Sequence, residues 1–395
     1  MTLIAQLSSY LGSLLPAQTT STAHTRHAGA LGGAVSLLAL KTAVDRAACA
    51  YRFFYGPTAN RHDWLRIARE LEAAYRLFSS RGWVERPQTY HELPPPLREA
   101  RMVESRSRGR RYLAMSFESG YTPHAHEPGA QRWSSYAANH TAHAWVVRHS
   151  RGRRPWLVCI HGYGMGYPML DFGAFPVRWL HEELGFNLVL PVLPLHGPRK
   201  IGRMSGERFL DSDPLDTIHA EAQAMWDIRR ILSWVRDQDP QSVGVYGLSL
   251  GGYSAALLAG LERRLACVIA GIPATDFLRL ALLHNRRSAL RCAEEAGLTW
   301  SRVAEVLRVI SPLAVAPCVG RDRLFMFAGI GDQIVPADHA TTLWNHWNRP
   351  RIEWYRGSHF TFLWEPEPRL LLREALSSTM MLDSGYERRD DMAAA

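Results

Sequence analysis

Apolar residues follow two rhythms along the chain, and the change between them divides it. Upstream of residue 96, Trp64, Ile67, Leu71, Tyr75 and Phe78 recur at three- to four-residue intervals, the spacing that gathers side chains on one face of a helix. This predicts a helical N-terminal extension, residues 1–96, whose apolar face packs on a core. Pro94, Pro95 and Pro96 interrupt the pattern, because proline lacks an N–H donor and biases its predecessor away from helix. A boundary is expected there, with a second domain over residues 97–395.

After the prolines, residues 111–118 and 142–149 read as strands, the second turning at Ser150-Arg151-Gly152 into a third at 155–160. Continuous apolar runs recur at 188–192, 243–246, 265–272 and 324–328, and such two-sided apolarity suits strands covered on both faces. Between them, Ile218, Ala222, Met225, Ile228, Leu232 and Val235 mark one face of a crossover helix. Alternating strands and helices predict an α/β fold, a mostly parallel sheet with helices on both faces. The connection from Pro273 to Arg323 is far longer than one crossover helix needs. It carries helical patterns over 276–297 and 299–310 and is read as a helical cap, about 275–312, above the site.

Composition adds limits. With 47% hydrophobic and 21% charged residues, the chain matches an ordinary globular protein and neither a disordered nor a fibrous one. Its five cysteines, Cys49, Cys159, Cys267, Cys292 and Cys318, are scattered without a C-x-x-C pair, which points to a reducing compartment and a cytoplasmic location. Residues 3–15 are fairly apolar, but no Lys or Arg precedes residue 26, so the positive start of a signal peptide is missing. The apolar run 28–40 stops at Lys41, short of the ~18 residues of a spanning helix. The net charge of +9 gathers in arginine clusters at 106–111 and 148–154. No nucleic-acid motif accompanies them; they read as solvated surface, or as a docking face for an acidic partner or an anionic membrane. His124 with His126 and His140 with His143 lack the Cys or carboxylate company of a metal site, and no metal is expected.

The chemistry begins at Gly247-Leu248-Ser249-Leu250-Gly251-Gly252, directly after the apolar run 243–246 and before helix-compatible residues 253–261. G-x-S-x-G between a strand and a helix is the context of a nucleophile elbow, in which glycines let the serine occupy a strained apex. A serine hydroxyl needs a base within hydrogen-bond reach and a third group to fix that base. Two downstream segments offer them: Gly329-Ile330-Gly331-Asp332 after the run 324–328, and Gly357-Ser358-His359 after a strand at 352–355. Ser249 is thus the candidate nucleophile, His359 the base and Asp332 the acid. Asp276 is the alternative acid, though it also suits the cap of the following helix. Oxyanion donors are expected from the Leu250 N–H and from the loop His161-Gly162-Tyr163-Gly164-Met165-Gly166, at Tyr163 first and Gly164 second. His161 is read as holding that loop.

In order and separation, H-G-Y-G, G-L-S-L-G-G, G-D-Q-I-V-P and G-S-H resemble the α/β-hydrolase superfamily, over about residues 111–372. Leu195-His196-Gly197-Pro198-Arg199 is similar to an H-G-x-R segment of some esterases of that group and to a stretch of α/β-hydrolase domain-containing protein 18. The resemblance implies acyl transfer to water through an acyl-enzyme, without a cofactor, on a small-molecule or lipid-like carboxylic ester. Thioesters and small amides come second. Serine at the elbow, where dehalogenases and epoxide hydrolases carry aspartate, argues against those branches. An acyltransferase using the same three residues, and a non-catalytic binding protein on the same fold, are the alternatives. Phe277, Leu278, Leu280, Leu282 and Leu283 would line an acyl pocket or form the cap's own small core.

Overall fold

Strand residues alternate sides, and in the inner strands of this chain both sides are apolar. The computed structural model describes residues 41, 42, 45, 59–107, 109–211 and 213–381. Among these, nine strands form one sheet: β1 (Arg101–Ser107), β2 (Arg110–Glu118), β3 (Thr141–Val147), β4 (Trp156–Ile160), β5 (Asn187–Val192), β6 (Val243–Leu248), β7 (Cys267–Gly271), β8 (Leu324–Gly329) and β9 (Arg351–Tyr355). The spatial order is β1-β2-β3-β5-β4-β6-β7-β8-β9. The first three strands and β5 pair antiparallel; the pairs from β5 and β4 through β9 are parallel. Val158, Val245, Val268 and Met326 point into one buried cluster, and their neighbours Leu157, Tyr246, Ile269 and Phe325 into another on the opposite face. This is the burial expected of a sheet covered on both sides.

Eight helices matter for the site: α1 (Arg61–Ser80), α2 (Pro214–Arg236), α3 (Leu250–Leu261), α4 (Phe277–His284), α5 (Arg287–Glu295), α6 (Trp300–Leu307), α7 (Ala337–His346) and α8 (Pro366–Thr379). Helix α1 opens with a capping box in which Asn60 and Asp63 each accept the other's backbone N–H, at 3.0 and 3.2 Å, satisfying donors that a helix start leaves free. It buries Trp64, Ile67, Leu71, Ala74 and Phe78 against α2, α5 and α6. Tyr75 sits at the rim of that stripe, with the Arg302 guanidinium 3.4 Å above its ring. The described residues fall in one compact unit, in which α1 packs on helices from the far side of the three prolines.

Two sequence expectations need revision. Arg106, Arg110 and Arg111 do not lead into the first strand; they flank the hairpin between β1 and β2, with Arg106 opposite Arg111. β1 is an edge strand with no buried residue, so it carries no apolar periodicity to read, and its charges suit an unpaired edge. The helical pattern over 276–297 is two helices, α4 and α5, separated at Asn285-Arg286, both of which are extended. The apolar runs at 3–15 and 28–40 lie outside the described residues. Among the described residues, no helix is long and apolar enough to cross a membrane.

Register fixes where the loops emerge. Ile160 pairs with Gly247, Leu248 with Gly271, Gly271 with Phe327, and Gly329 with Tyr355. The ends of β4, β6, β7, β8 and β9 therefore line up, and the segments that follow them leave along one edge. In open α/β sheets that carboxyl edge is where ligands bind.

Candidate active site

Ser249 sits between β6 and α3 at φ 57° and ψ −112°. Positive φ is costly for a residue with a Cβ, so the surroundings must impose it. Its N–H donates to Gly271 O at 2.9 Å, and its carbonyl accepts from Tyr253 and Ala274. The flanking glycines leave no room for anything larger. A Cβ on Gly247 would lie 1.9 Å from Gly251 O, and one on Gly251 would lie 1.9 Å from Ile160 O. Strand, turn and helix thus close on one another, leaving the serine at the apex.

His359 follows β9 and reaches this apex, with Nε2 3.0 Å from Ser249 Oγ. Its Nδ1 is 2.6 Å from Asp332 Oδ2. The other carboxylate oxygen of Asp332 accepts the Ile334 and Val335 N–H groups at 2.9 and 2.8 Å, which locks the carboxylate on the loop after β8. With Nδ1–H donated to the carboxylate, Nε2 is left to accept the serine proton. Burial opposes an imidazolium here, but the charge and hydrogen bond of Asp332, aided by Asp45, outweigh it and raise the His359 pKa above its ordinary value. Asp276 is engaged elsewhere: it caps α4, accepting from Arg279 N at 3.0 Å.

The loop after β4 runs beside the serine. A Cβ on Gly162 would stand 3.5 Å from Ser249 Cβ. Tyr163 turns its ring edge-on to His196, and Gly164 has φ +82°. Leu250 is the first residue of α3, so its N–H lacks an intrahelical acceptor. His161 bridges two segments: Nδ1 donates to Gly162 O at 2.8 Å and Nε2 accepts from Leu193 N at 3.1 Å. Burial lowers its pKa, which keeps it neutral and able to do both.

Two uncharacterized proteins of Mycobacterium tuberculosis are similar to this chain. One, MT2702 of strain CDC 1551 / Oshkosh, is 43% identical over 339 residues, covering 85% of this chain and 81% of its own length. The other, Rv2627c of strain ATCC 25618 / H37Rv, is 42% identical over the same extent. Residues 203–368 match the prolyl oligopeptidase family. The fold is similar to that of acetyl xylan esterase 1 from Thermoanaerobacterium sp. JW/SL YS485, at a TM-score of 0.51 and 17% identity over 75% of this chain and 92% of the esterase. The chain belongs to the α/β-hydrolase superfamily of serine hydrolases. Within the superfamily it is of one family with the two mycobacterial proteins.

Sequence reasoning missed several residues that shape this hydrolase site. Asp171 accepts the Gly166 N–H at 3.0 Å and the Trp145 indole N–H at 2.9 Å, tying the loop after β4 to β3. Tyr355 donates to Ser358 O, and Thr361 Oγ1 accepts the Ser358 N–H, both at 2.8 Å, bracing the turn before His359. The Asp45 carboxylate reaches the His359 N–H at 2.9 Å. None of these stands in a recognisable motif: Asp45 and Trp145 meet their partners from far along the chain, and the short-range contacts of Asp171, Tyr355 and Thr361 follow no periodic pattern. Arg199 of the H-G-P-R segment is fully buried, donating to Val192 O and Asn139 O and pairing with Asp227 at 2.9 Å, so its task is to fix the loop after β5. One histidine of each pair holds a backbone carbonyl: His124 Nε2 hydrogen-bonds Tyr90 O, and His140 Nε2 hydrogen-bonds Ser134 O. Among the described residues, no three His, Cys, Asp or Glu side chains are grouped to hold a metal ion.

Proposed function

We propose that this hydrolase cleaves carboxylic esters through an acyl-enzyme on Ser249. The observation that carries the reading is the continuous contact from Ser249 Oγ through the His359 ring to Asp332, at 3.0 and 2.6 Å. Ser249 Oγ attacks the ester carbonyl carbon while His359 Nε2 takes its proton, and Asp332 holds the ring in the tautomer that can accept it. Charge that develops on the carbonyl oxygen is met by the N–H groups of Leu250 and of Tyr163, with Gly164 as the alternative to Tyr163. Collapse of the tetrahedral intermediate breaks the ester C–O bond, and the leaving alkoxide takes the proton from Nε2. Water then gives a proton to Nε2 and attacks the acyl carbon, releasing the acid and restoring the serine. No cofactor enters these steps.

An apolar acyl or alcohol group is supported by exposed Phe360 beside the base, by Tyr167 and Met169 beyond the β4 loop, and by Leu282 and Leu283 on α4. Phe277, whose ring stacks on Tyr253 at 3.8 Å, belongs to the core, and Leu278 and Leu280 pack against it. The match to the prolyl oligopeptidase family favours peptide bonds as a second reading.

One experiment separates the readings. Wild type and Ser249→Ala are treated with a fluorophosphonate probe, then assayed on p-nitrophenyl esters of increasing chain length and on peptidyl p-nitroanilides. Wild type is expected to label and to prefer esters. The variant is expected to lose both properties, with kcat falling on the order of 10⁶-fold. Labelling of Ser249→Ala at the wild-type rate would overturn the assignment, and faster turnover of anilides than esters would favour the peptidase.

A further inference from the structure

Several buried carboxylates among the described residues answer to an arginine. Asp227 pairs with Arg199, Asp216 with Arg132, and Glu262 with Arg229 and Arg236. Asp45 is fully buried, yet its hydrogen bonds go to backbone. Oδ2 accepts the N–H of Gln333 at 3.0 Å and the N–H of His359 at 2.9 Å. Gln333 adjoins Asp332 on the loop after β8; His359 is itself the proposed base. Oδ1 is buried with no hydrogen-bond partner. Four residues earlier, Lys41 donates to Arg356 O at 3.1 Å and pairs with Glu365, gripping both sides of the turn that carries His359.

Backbone hydrogen bonds also join the two loops near their roots. Ile330 N donates to Tyr355 O and Gly331 N to Gly357 O, which continues the β8–β9 ladder as far as residues 331 and 357. Beyond that point the side chains of Asp332 and His359 meet directly, and Asp45 bridges the two loops through the N–H groups of Gln333 and His359. A buried carboxylate is costly unless hydrogen-bonded, so the two N–H groups and the carboxylate secure each other.

We propose that Asp45 is a positioning residue of the active site, a tether from upstream of the sheet that sets the spacing of the acid and base loops and places a second negative group beside the imidazolium formed during acyl transfer. The proposal rests on the reading of Ser249, His359 and Asp332 given above. The ionisable groups around His359 are Asp332 on the loop after β8, Asp45, Tyr355 at the end of β9, and the Lys41–Glu365 pair. Burial, together with the Asp332 and Asp45 charges, pushes the Tyr355 hydroxyl far above its usual range, so it stays neutral. Asp332 and Asp45 are then the groups that favour protonated His359.

Full-length Asp45→Ala and Asp45→Asn test this. Asparagine keeps an oxygen able to accept both N–H groups and removes the charge, whereas alanine removes both. With fold checked by circular dichroism, Asp45→Ala is expected to lower kcat and the rate of fluorophosphonate labelling about 10- to 100-fold, the scale of a small misplacement of reacting groups, with KM within about threefold. Asp45→Asn is expected to recover most of that loss while its acidic pH limb moves to lower pH. NMR titration of the His359 ring should show the same downward shift, independent of turnover. A folded Asp45→Ala with kcat within threefold of wild type overturns the proposal, as does an unmoved His359 titration in Asp45→Asn. Failure of both variants to fold would assign Asp45 to stability alone and overturn it too. Should wild type neither label nor hydrolyse esters, the catalytic reading fails, while the titration still tests the Asp45–His359 contact.

Discussion

At the scale of single residues, His359 is held between the cost of burying an imidazolium and the carboxylates that favour it, and the balance raises its pKa. Only the neutral ring can take the proton of Ser249. Activity should therefore fall as pH drops through a value above the ordinary histidine range of ~6.5. A kcat/KM profile on a neutral ester from pH 5 to 9 measures it, and a limb clearly below 6 would mean that the carboxylates do not govern the ring. Asp332→Asn keeps the size of the acid but loses the charge and turns an N–H donor toward Nδ1, leaving the ring in the wrong tautomer. A loss in kcat on the order of 10⁴-fold is expected. Asp276→Asn, which retains a helix cap, should stay within a few-fold. Orders of magnitude lost in Asp276→Asn alone would move the acid to that position.

Elements explain why the serine can stand where it does. One of the two closest approaches in the elbow is Gly251 against the carbonyl of Ile160, which ends β4. Because a Cβ there would meet backbone and not a movable side chain, Gly251→Ala has to part α3 from β4. The expected result is a melting temperature lower by several degrees, the shift that follows from a few kcal/mol in a domain of this size, together with slowed labelling of Ser249. An unchanged melting curve would mean that the elbow is looser than these distances. What could be read in advance follows the same physics. Strands buried on both faces announce themselves as apolar runs, and Gly247, Ser249 and Gly251 were legible because strain demands small residues at fixed offsets. The exposed edge strand β1 has no buried side, so nothing in its pattern marks it. The break at Asn285-Arg286 carries neither glycine nor proline, and two amphipathic helices in succession read as one. Asp45 and Asp171 escaped for another reason: their partners stand far away in sequence or on other elements, and a lone aspartate carries no periodicity.

Across the whole molecule, the arginine clusters invite the idea that they draw an anionic substrate toward the serine, and the sheet argues against it. Val147 at the end of β3 lies opposite Leu188 near the start of β5, and Leu113 near the start of β2 lies opposite Val146. The β1–β2 hairpin and the turn at 148–154 therefore share the amino edge of the parallel strands. There Arg110, Arg111, Arg148 and Arg178 line an open hollow of about 1110 Å³ with His149 and His181. The loops bearing Ser249, Asp332 and His359 leave the opposite edge. The five residues of β4 between the two edges span roughly 16 Å at ~3.3 Å each, about twice the ~8 Å over which physiological salt screens a charge. Arg153 meets exposed Asp239 at 3.2 Å, a surface pair of small energetic weight. Replacing Arg151, Arg153 and Arg154 together by glutamine should thus leave both fold and chemistry intact, with kcat/KM for a small neutral ester within about threefold, because no contact to the transition state is removed. Co-sedimentation with anionic vesicles at low and high salt reads the remaining role of this face, and a docking function predicts binding that weakens in the variant. A hundredfold loss of kcat/KM in a folded triple variant would mean that the basic edge and the catalytic edge are not separated as the strand register places them.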